Sequence, residues 1–260
     1  MILCIDIGNT NIKLGIFEKN NLVDSFRISS NQTRTADEYG VTLINLLSNA
    51  NIRKEDLTGI IISSVIPSLN YTIEHMCSYY LKIKPLIIGP GTKTGLNLKV
   101  DNTREVGADR IVNSVAALRK YGGPVIVIDF GTATTFNAVT ENFELIGGVI
   151  APGIKGSLES LITGTAKLPK VEIETPKSVL GKNTVTNMQA GIVFGFAGIV
   201  EYIVKKMKTE MGGGNIKVIA TGGFSEIISK ETVSIDIVDK KLTLEGLKML
   251  YELNQTEVKG

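Results

Sequence analysis

The sequence predicts an α/β protein made of two related halves. Short Ile- and Val-rich runs alternate with segments of helical periodicity, as in strands interleaved with helices. The breaker Gly122-Gly123-Pro124 divides the 260 residues near their middle, and the order of elements then begins again. The segment 5–10, Ile-Asp-Ile-Gly-Asn-Thr, is echoed at 128–133 as Ile-Asp-Phe-Gly-Thr-Ala. Each copy closes a buried first strand and opens a turn into a second, a repeat at long period. The expected domains are residues 1–115 and 116–260.

In order, Ile2–Ile7 is expected as a buried strand stopped by Gly8, with strands at Ile12–Phe17 and Leu22–Ile28 turning at Glu18–Asn21. Thr35–Ala50 carries apolar residues at helical spacing, namely Val41, Ile44, Leu46 and Leu47. A strand at Gly59–Ser64, a helix from Pro67, a strand at Pro85–Ile88 and a helix at Arg104–Tyr121 complete the first half. Beyond the breaker, strands are expected at Pro124–Ile128, Ala133–Val139 and Glu144–Ile150, and helices at Gly156–Ile162 and Thr184–Met211. Gly212-Gly213-Gly214 ends the long helix; a strand at Lys217–Ala220 and a last helix at Thr243–Glu252 precede a polar tail expected to fray.

Composition narrows the function. Apolar residues make up 43% of the chain, which excludes disorder and supplies a sizeable core. With 28 Lys and Arg against 26 Asp and Glu, the chain lacks the basic face that extended nucleic-acid binding requires. Cys4 and Cys77 are too few for a disulfide framework and lack metal-ligand spacing. No signal peptide is expected, since Asp6 interrupts the first apolar run. The longest apolar stretch, Ala190–Tyr202, falls short of about 18–20 residues and reads as a buried helix. A reduced, cytoplasmic setting with no membrane and no nucleic acid is the expectation.

The paired turns point to phosphate. Asp, Gly, Asn and Thr in a tight turn present backbone N–H groups without Cβ crowding, a nest that suits phosphate oxygens. The carboxylate repels phosphate and is better placed to hold a cation or its water shell. Two such turns, one per half, would clamp one nucleotide. Gly89-Pro-Gly-Thr-Lys-Thr-Gly95 fails the Walker spacing and reads as a connecting loop. Thr221-Gly-Gly223, between a strand and a helix, has two readings: tight-turn chemistry, or a contact to adenosine. Asp109 in Glu105-Val-Gly-Ala-Asp-Arg110 also has two. It is either an acid favoured by a helix N-terminus, or a base that takes a substrate hydroxyl proton while Arg110 binds an anionic group.

Together these motifs resemble the type III pantothenate kinases of bacteria, within the actin-like ATPase and sugar kinase superfamily. The resemblance runs over nearly the whole chain. It rests on Asp6-Ile-Gly-Asn-Thr-Asn-Ile-Lys13, Gly89-Pro-Gly with Lys93-Thr-Gly95, Glu105-Val-Gly-Ala-Asp-Arg110, Asp129-Phe-Gly-Thr132, Gly147-Gly with Pro152-Gly153, Gly181-Lys-Asn-Thr184 and Thr221-Gly-Gly223. It implies duplicated ribonuclease H-like domains, each a mixed five-stranded sheet with helices, with a nucleotide cleft between them. The implied activity is phosphorylation of pantothenate to 4′-phosphopantothenate by ATP with Mg²⁺, the first step of coenzyme A biosynthesis.

Residue roles follow from the resemblance. Asp6, Ile7, Gly8, Asn9, Thr10, Asn11, Ile12 and Lys13 are the implied first ATP-phosphate loop, and Thr132 the contact from the second. Asp6 is the implied Mg²⁺ residue, and Asp129 the ligand of a monovalent cation, K⁺ or NH₄⁺. Gly107, Ala108, Asp109 and Arg110 form the implied pantothenate strip, with Asp109 as catalytic base. Thr184 is a second substrate contact presented across a homodimer interface. In one departure, Val100 stands before Asp101-Asn102 where relatives often carry a tyrosine that contacts pantothenate. Loss of that hydroxyl weakens substrate binding by about a kcal/mol or somewhat more.

Alternatives differ in class. One is a non-catalytic transcriptional accessory regulator of the same fold, against which Asp6, Asp109 and Asp129 all argue. Another is a sugar or acetate kinase, or a chaperone-type ATPase, which the Gly-Ala-Asp-Arg strip and the shortness of both halves disfavour. Other residues read as structural. His75 lies in a polar helix without ligand partners, Cys4 and Cys77 are small apolar residues, and Lys205, Lys206 and Lys208 suit a helix C-terminus. Phe194–Phe196 with Gly191, Gly195 and Gly198 suits either close helix packing or a dimer contact.

Overall fold

The computed structural model describes residues 1–255; the end of the polar tail, 256–260, lies outside the described residues. The chain forms two compact units. The first comprises Met1–Gly95, Arg104–Ala116 and the segment from Thr243, and the second Leu96–Thr103 and Ala117–Leu242. The halves of the sequence therefore exchange segments, where the expectation was a single cut after residue 115.

Unit one is built on β1 (Ile2–Ile7), β2 (Asn11–Glu18), β3 (Asn21–Ser29), β4 (Gly59–Ser64) and β5 (Leu86–Ile87), ordered β3-β2-β1-β4-β5. β1 runs antiparallel to β2 and parallel to β4. On one face Leu3, Ile5, Ile7, Ile60 and Ile62 meet Tyr39, Leu43 and Leu47 of α1 (Ala36–Asn49) and Leu69, Ile73 and Met76 of α2 (Pro67–Met76) in a continuous core. Each such side chain removed from water contributes about 1.5–3 kcal/mol. α1 starts where the sequence places it, because Thr35 and Glu38 cap each other's backbone N–H groups reciprocally.

Successive strand residues point to opposite faces, so Cys4, Asp6, Ile61 and Ser63 share the other one. Two helices serve it: α3 (Ala108–Tyr121), through its first turns, and α7 (Leu242–Gln255). Glycines admit them. Leu244 and Tyr251 fill the space a Cβ would occupy at Gly15 and Gly59, and Gly246 lies against Val112 and Ala116. α3 begins at Ala108 after a short 3₁₀ turn at Thr103–Glu105, so the helix expected from Arg104 starts later.

Unit two repeats the plan with one addition. Its strands are β6 (Asn97–Leu98), β7 (Val125–Phe130), β8 (Ala133–Val139), β9 (Glu144–Pro152), β10 (Lys217–Gly222) and β11 (Ile237–Val238). Their order is β11-β10-β7-β8-β9-β6, so β9-β8-β7-β10-β11 matches β3-β2-β1-β4-β5 strand for strand. The sheet has six strands, where five were expected. The sixth is β6, two residues long and parallel to β9; a strand that short leaves no periodicity to read. α4 (Ile154–Thr163), α5 (Thr184–Glu210) and α6 (Ser225–Ser229) pack through Ile154, Leu158, Ile192, Phe196, Val200 and Ile228 onto the sheet.

α5 is the one described helix long and apolar enough to cross a bilayer. Its apolar face joins the core, and Glu201, Lys205 and Lys206 interrupt the remainder. Close packing was one reading of Gly191, Gly195 and Gly198, but beyond the adjacent residues and the helix's own backbone nothing among the described residues lies within 4 Å of a Cβ built on any of them.

Candidate active site

The first loop joins β1 to β2. The Gly8 N–H donates to the Asn11 carbonyl at 3.0 Å, and a Cβ at Gly8 would crowd that same oxygen at 3.2 Å. The residue just after β3 props the turn from the side, since the Ser30 N–H donates to the Thr10 carbonyl (3.1 Å) and its hydroxyl to the Gly8 carbonyl (2.5 Å). Asn9 and Thr10 lie exposed at the tip. Ile7 and Ile12 face each other in the ladder with side chains in the core, so a ligand can meet them only through their main chain.

At the base of this loop the carboxylate of Asp6 is buried and the Lys13 ammonium lies 3.3 Å from it. Lys13 is its register partner on β2, and Ser63 its partner on β4.

Asp109 is the second residue of α3. A Cβ on Gly107 would stand 2.5 Å from the Asp109 Oδ1, so only glycine lets the carboxylate fold back over the chain there. The Arg110 N–H donates to that oxygen at 2.8 Å. Asp109 keeps a solvent-facing edge, yet the packing around it strips away most of its water. That desolvation, reinforced by the charge of Asp6, raises its pKa above the ordinary carboxylate value against the opposing pull of Arg110 and Lys13. A solvated acid at a helix N-terminus is stabilised in its charged form, whereas Asp109 is shifted the other way, toward holding a proton. Burial correspondingly lowers the pKa of the Arg110 guanidinium, and the Asp109 charge partly restores it. The sequence-expected group Asp6, Lys13, Asp109 and Arg110 is thus electrostatically joined within unit one.

The second loop joins β7 to β8, its Gly131 N–H donating to the Ala133 carbonyl at 3.1 Å. Asp129 pairs in register with Thr135 and with Thr221 of β10. Gly222 adopts φ +94°, and a Cβ there would stand 2.6 Å from both the Asp129 Oδ1 and the Phe130 carbonyl oxygen. Gly153, the N-cap of α4, makes no side-chain cap, and its missing Cβ lets the helix start press against Thr132. The first-turn N–H groups of α4 have no side-chain cap, a helix start that favours an anion. Thr184 is exposed and opens α5 in unit two, directly after the N-cap Asn183, whose capping partner is Thr186.

Gly153 and Gly222 were visible as motif members, but what each glycine makes room for is a tertiary contact with no local signal. Ser63 was missed as well; its only signal is its place at the end of a strand paired with β1.

The donor sets suit hard cations. No cluster of three or more His, Cys, Asp or Glu occurs among the described residues. Mg²⁺ needs none, because it takes one or two carboxylates and fills its shell with phosphate and water. Asp6 suits that role. Around Gly222 a carboxylate and a carbonyl oxygen converge where a side chain would otherwise stand, which suits an oxygen-liganded monovalent cation at Asp129.

Duplicated mixed sheets of matching strand order, each opening on an Asp-x-Gly turn, form the actin-like fold that the sequence leads one to expect. Solved structures share the fold at low identity. A Baf family transcriptional activator of Campylobacter jejuni matches at 19% identity and TM-score 0.62, over 97% of this chain and 98% of that one. A 2-dehydro-3-deoxygalactonokinase of Sinorhizobium meliloti matches at 9% and 0.57, over 98% and 97%. An inorganic polyphosphate/ATP-glucomannokinase of Arthrobacter sp. strain KM matches at 16% and 0.52, over 97% and 98%. The family model for type III pantothenate kinase matches residues 2–206, and the chain belongs to that family. Membership in a kinase family implies ATP and a divalent metal.

Proposed function

We propose that this protein phosphorylates the primary hydroxyl of pantothenate with ATP, giving 4′-phosphopantothenate and ADP, the first step of coenzyme A biosynthesis. The observation that carries the reading is Asp109 at the start of α3, its carboxylate folded over Gly107 and held by the Arg110 N–H at 2.8 Å, with burial and the charge of Asp6 raising its proton affinity. Asp109 accepts the hydroxyl proton, and the oxygen attacks the γ-phosphorus as the bond to ADP breaks. Raised basicity helps, because proton transfer is most effective when the base's pKa approaches the working pH. Gly107 and Ala108 shape the strip that seats pantothenate, and Arg110 holds the substrate carboxylate. The loop Asp6–Lys13 and Thr132 bind the ATP phosphates through backbone donors, short side chains and the Lys13 ammonium.

Asp6 would hold Mg²⁺, which when bound offsets phosphate charge, and Asp129 would hold K⁺ or NH₄⁺. The active form is a homodimer in the cytoplasm, with Thr184 of one copy reaching the other's substrate. The open glycine face of α5 and its exposed Ile199 and Tyr202 support such a contact. Likeness to a Baf family activator favours a second reading, a non-catalytic transcriptional accessory regulator. The retained base argues against it, since regulation needs no proton acceptor.

ADP release measured with Mg²⁺, K⁺ and ATP, with and without pantothenate, separates the two. A kinase releases ADP only when pantothenate is added. No response to pantothenate would favour the regulator.

A further inference from the structure

Asp6 is flanked in the sheet by two unlike groups. On β2 stands Lys13, whose ammonium lies 3.3 Å from the carboxylate. On β4 stands Ser63, wholly buried, its hydroxyl without a hydrogen-bond partner among the described residues. Buried hydroxyls are normally paired, and leaving one unpaired is costly. The neighbouring Ser64 shows the ordinary case, since its hydroxyl accepts from the Ile66 N–H at 3.1 Å. Ser114 on α3 is also buried and unpaired, but it is not a register partner of Asp6. Residues directly paired across parallel strands point to the same face, so the Ser63 hydroxyl and the Asp6 carboxylate stand side by side.

We propose that Ser63 is a positioning residue for Asp6, a donor held in reserve for the nucleotide-bound state. Without ligand, Lys13 satisfies the carboxylate. When Mg²⁺·ATP enters, the ammonium is drawn to phosphate and Asp6 turns an oxygen to the cation. The Ser63 O–H then donates to the other oxygen and fixes the carboxylate's orientation. The inference rests on the reading that Asp6 serves the Mg²⁺-nucleotide site, and no substrate choice enters it.

The test uses calorimetric titration of the full chain with Mg²⁺·ADP, in the absence of pantothenate, together with thermal melting of the unliganded protein. Ser63→Ala removes an unpaired buried hydroxyl, so the unliganded protein should melt no earlier than wild type. A hydrogen bond to a charged group is lost only in the complex, so Mg²⁺·ADP affinity should fall on the order of tenfold. In an Asp6→Asn background, Ser63→Ala should change affinity little, because the two act as one unit. Unchanged affinity in Ser63→Ala overturns the proposal. So does an early melt, which would mean a structural partner, or an equal loss in both backgrounds. Failure of pantothenate to stimulate ADP release, with nucleotide binding and its Ser63 dependence intact, would sink the substrate reading alone.

Discussion

Replacing Asp109 with Asn separates a catalytic carboxylate from a structural one, because the two roles have opposite effects on stability. Asn keeps the size and the oxygen that accepts from the Arg110 N–H at 2.8 Å, so the local geometry is preserved. What is lost is the ability to take a proton. A positioned general base contributes roughly 10²–10⁴-fold, or about 3–5 kcal/mol of the barrier, so kcat should fall by that factor while ATP binding stays near wild type. Stability should move the other way. The native pKa of Asp109 is raised, so the folded state binds more protons than the unfolded state between the ordinary Asp value and the raised one. Stability contributed by this group therefore falls as pH rises through that window, and the penalty persists above it. Asn removes the penalty, so Asp109→Asn should melt at or above the wild-type temperature at neutral pH. The difference should vanish below about pH 4. Steady-state kinetics and calorimetric melting at both pH values check this. Wild-type turnover, or a variant clearly less stable at neutral pH, would refute the assignment.

Other expectations follow from the same contacts. The acid limb of the kcat profile should sit above the ordinary carboxylate range, because Asp109 must lose its proton to act, and should disappear in Asp109→Asn. Gly107→Ala drives a methyl into the Asp109 carboxylate and should lower kcat on the order of 10²-fold with little change in melting, seen by kinetics and calorimetry together. Gly222→Ala forces a left-handed residue against Asp129 and the Phe130 carbonyl, and should cost about 1–3 kcal/mol of stability in urea titration. Activity should require K⁺ or NH₄⁺, measured by exchanging the salt at constant ionic strength; equal activity in Na⁺ would remove the role proposed for Asp129.

Much of the fold was legible because its signals are local. β1, β4 and β8 fall on the expected residues, since each is a continuous or alternating apolar run between turn residues. The duplication showed in the echo of residues 5–10 at 128–133, and the strand orders repeat it. What escaped is non-local. β6 and β11 are two residues each and exist only through their neighbours. The packing of α7 in the first unit depends on Gly15 and Gly59 giving way to Leu244 and Tyr251, a fit between segments about 200 residues apart, and on its own Gly246 giving way to Val112 and Ala116. His75 read as an isolated polar residue, but the spacing of Tyr71, His75 and Tyr79 stacks the three rings at about 6 Å along one helix face. Asp109 was visible as an acid beside Arg110; its raised pKa required the burial and the Asp6 charge that only folding supplies.

The central claim is that this chain moves the γ-phosphoryl group of ATP to pantothenate under the control of Asp109. Phosphorus NMR of the purified protein with ATP, Mg²⁺, K⁺ and pantothenate tests it most directly. The expected spectrum gains the phosphomonoester resonance of 4′-phosphopantothenate as ATP is consumed, and Asp109→Asn leaves it absent over the same period. Inorganic phosphate as the only new resonance, or a phosphomonoester that forms equally fast in Asp109→Asn, would contradict the account.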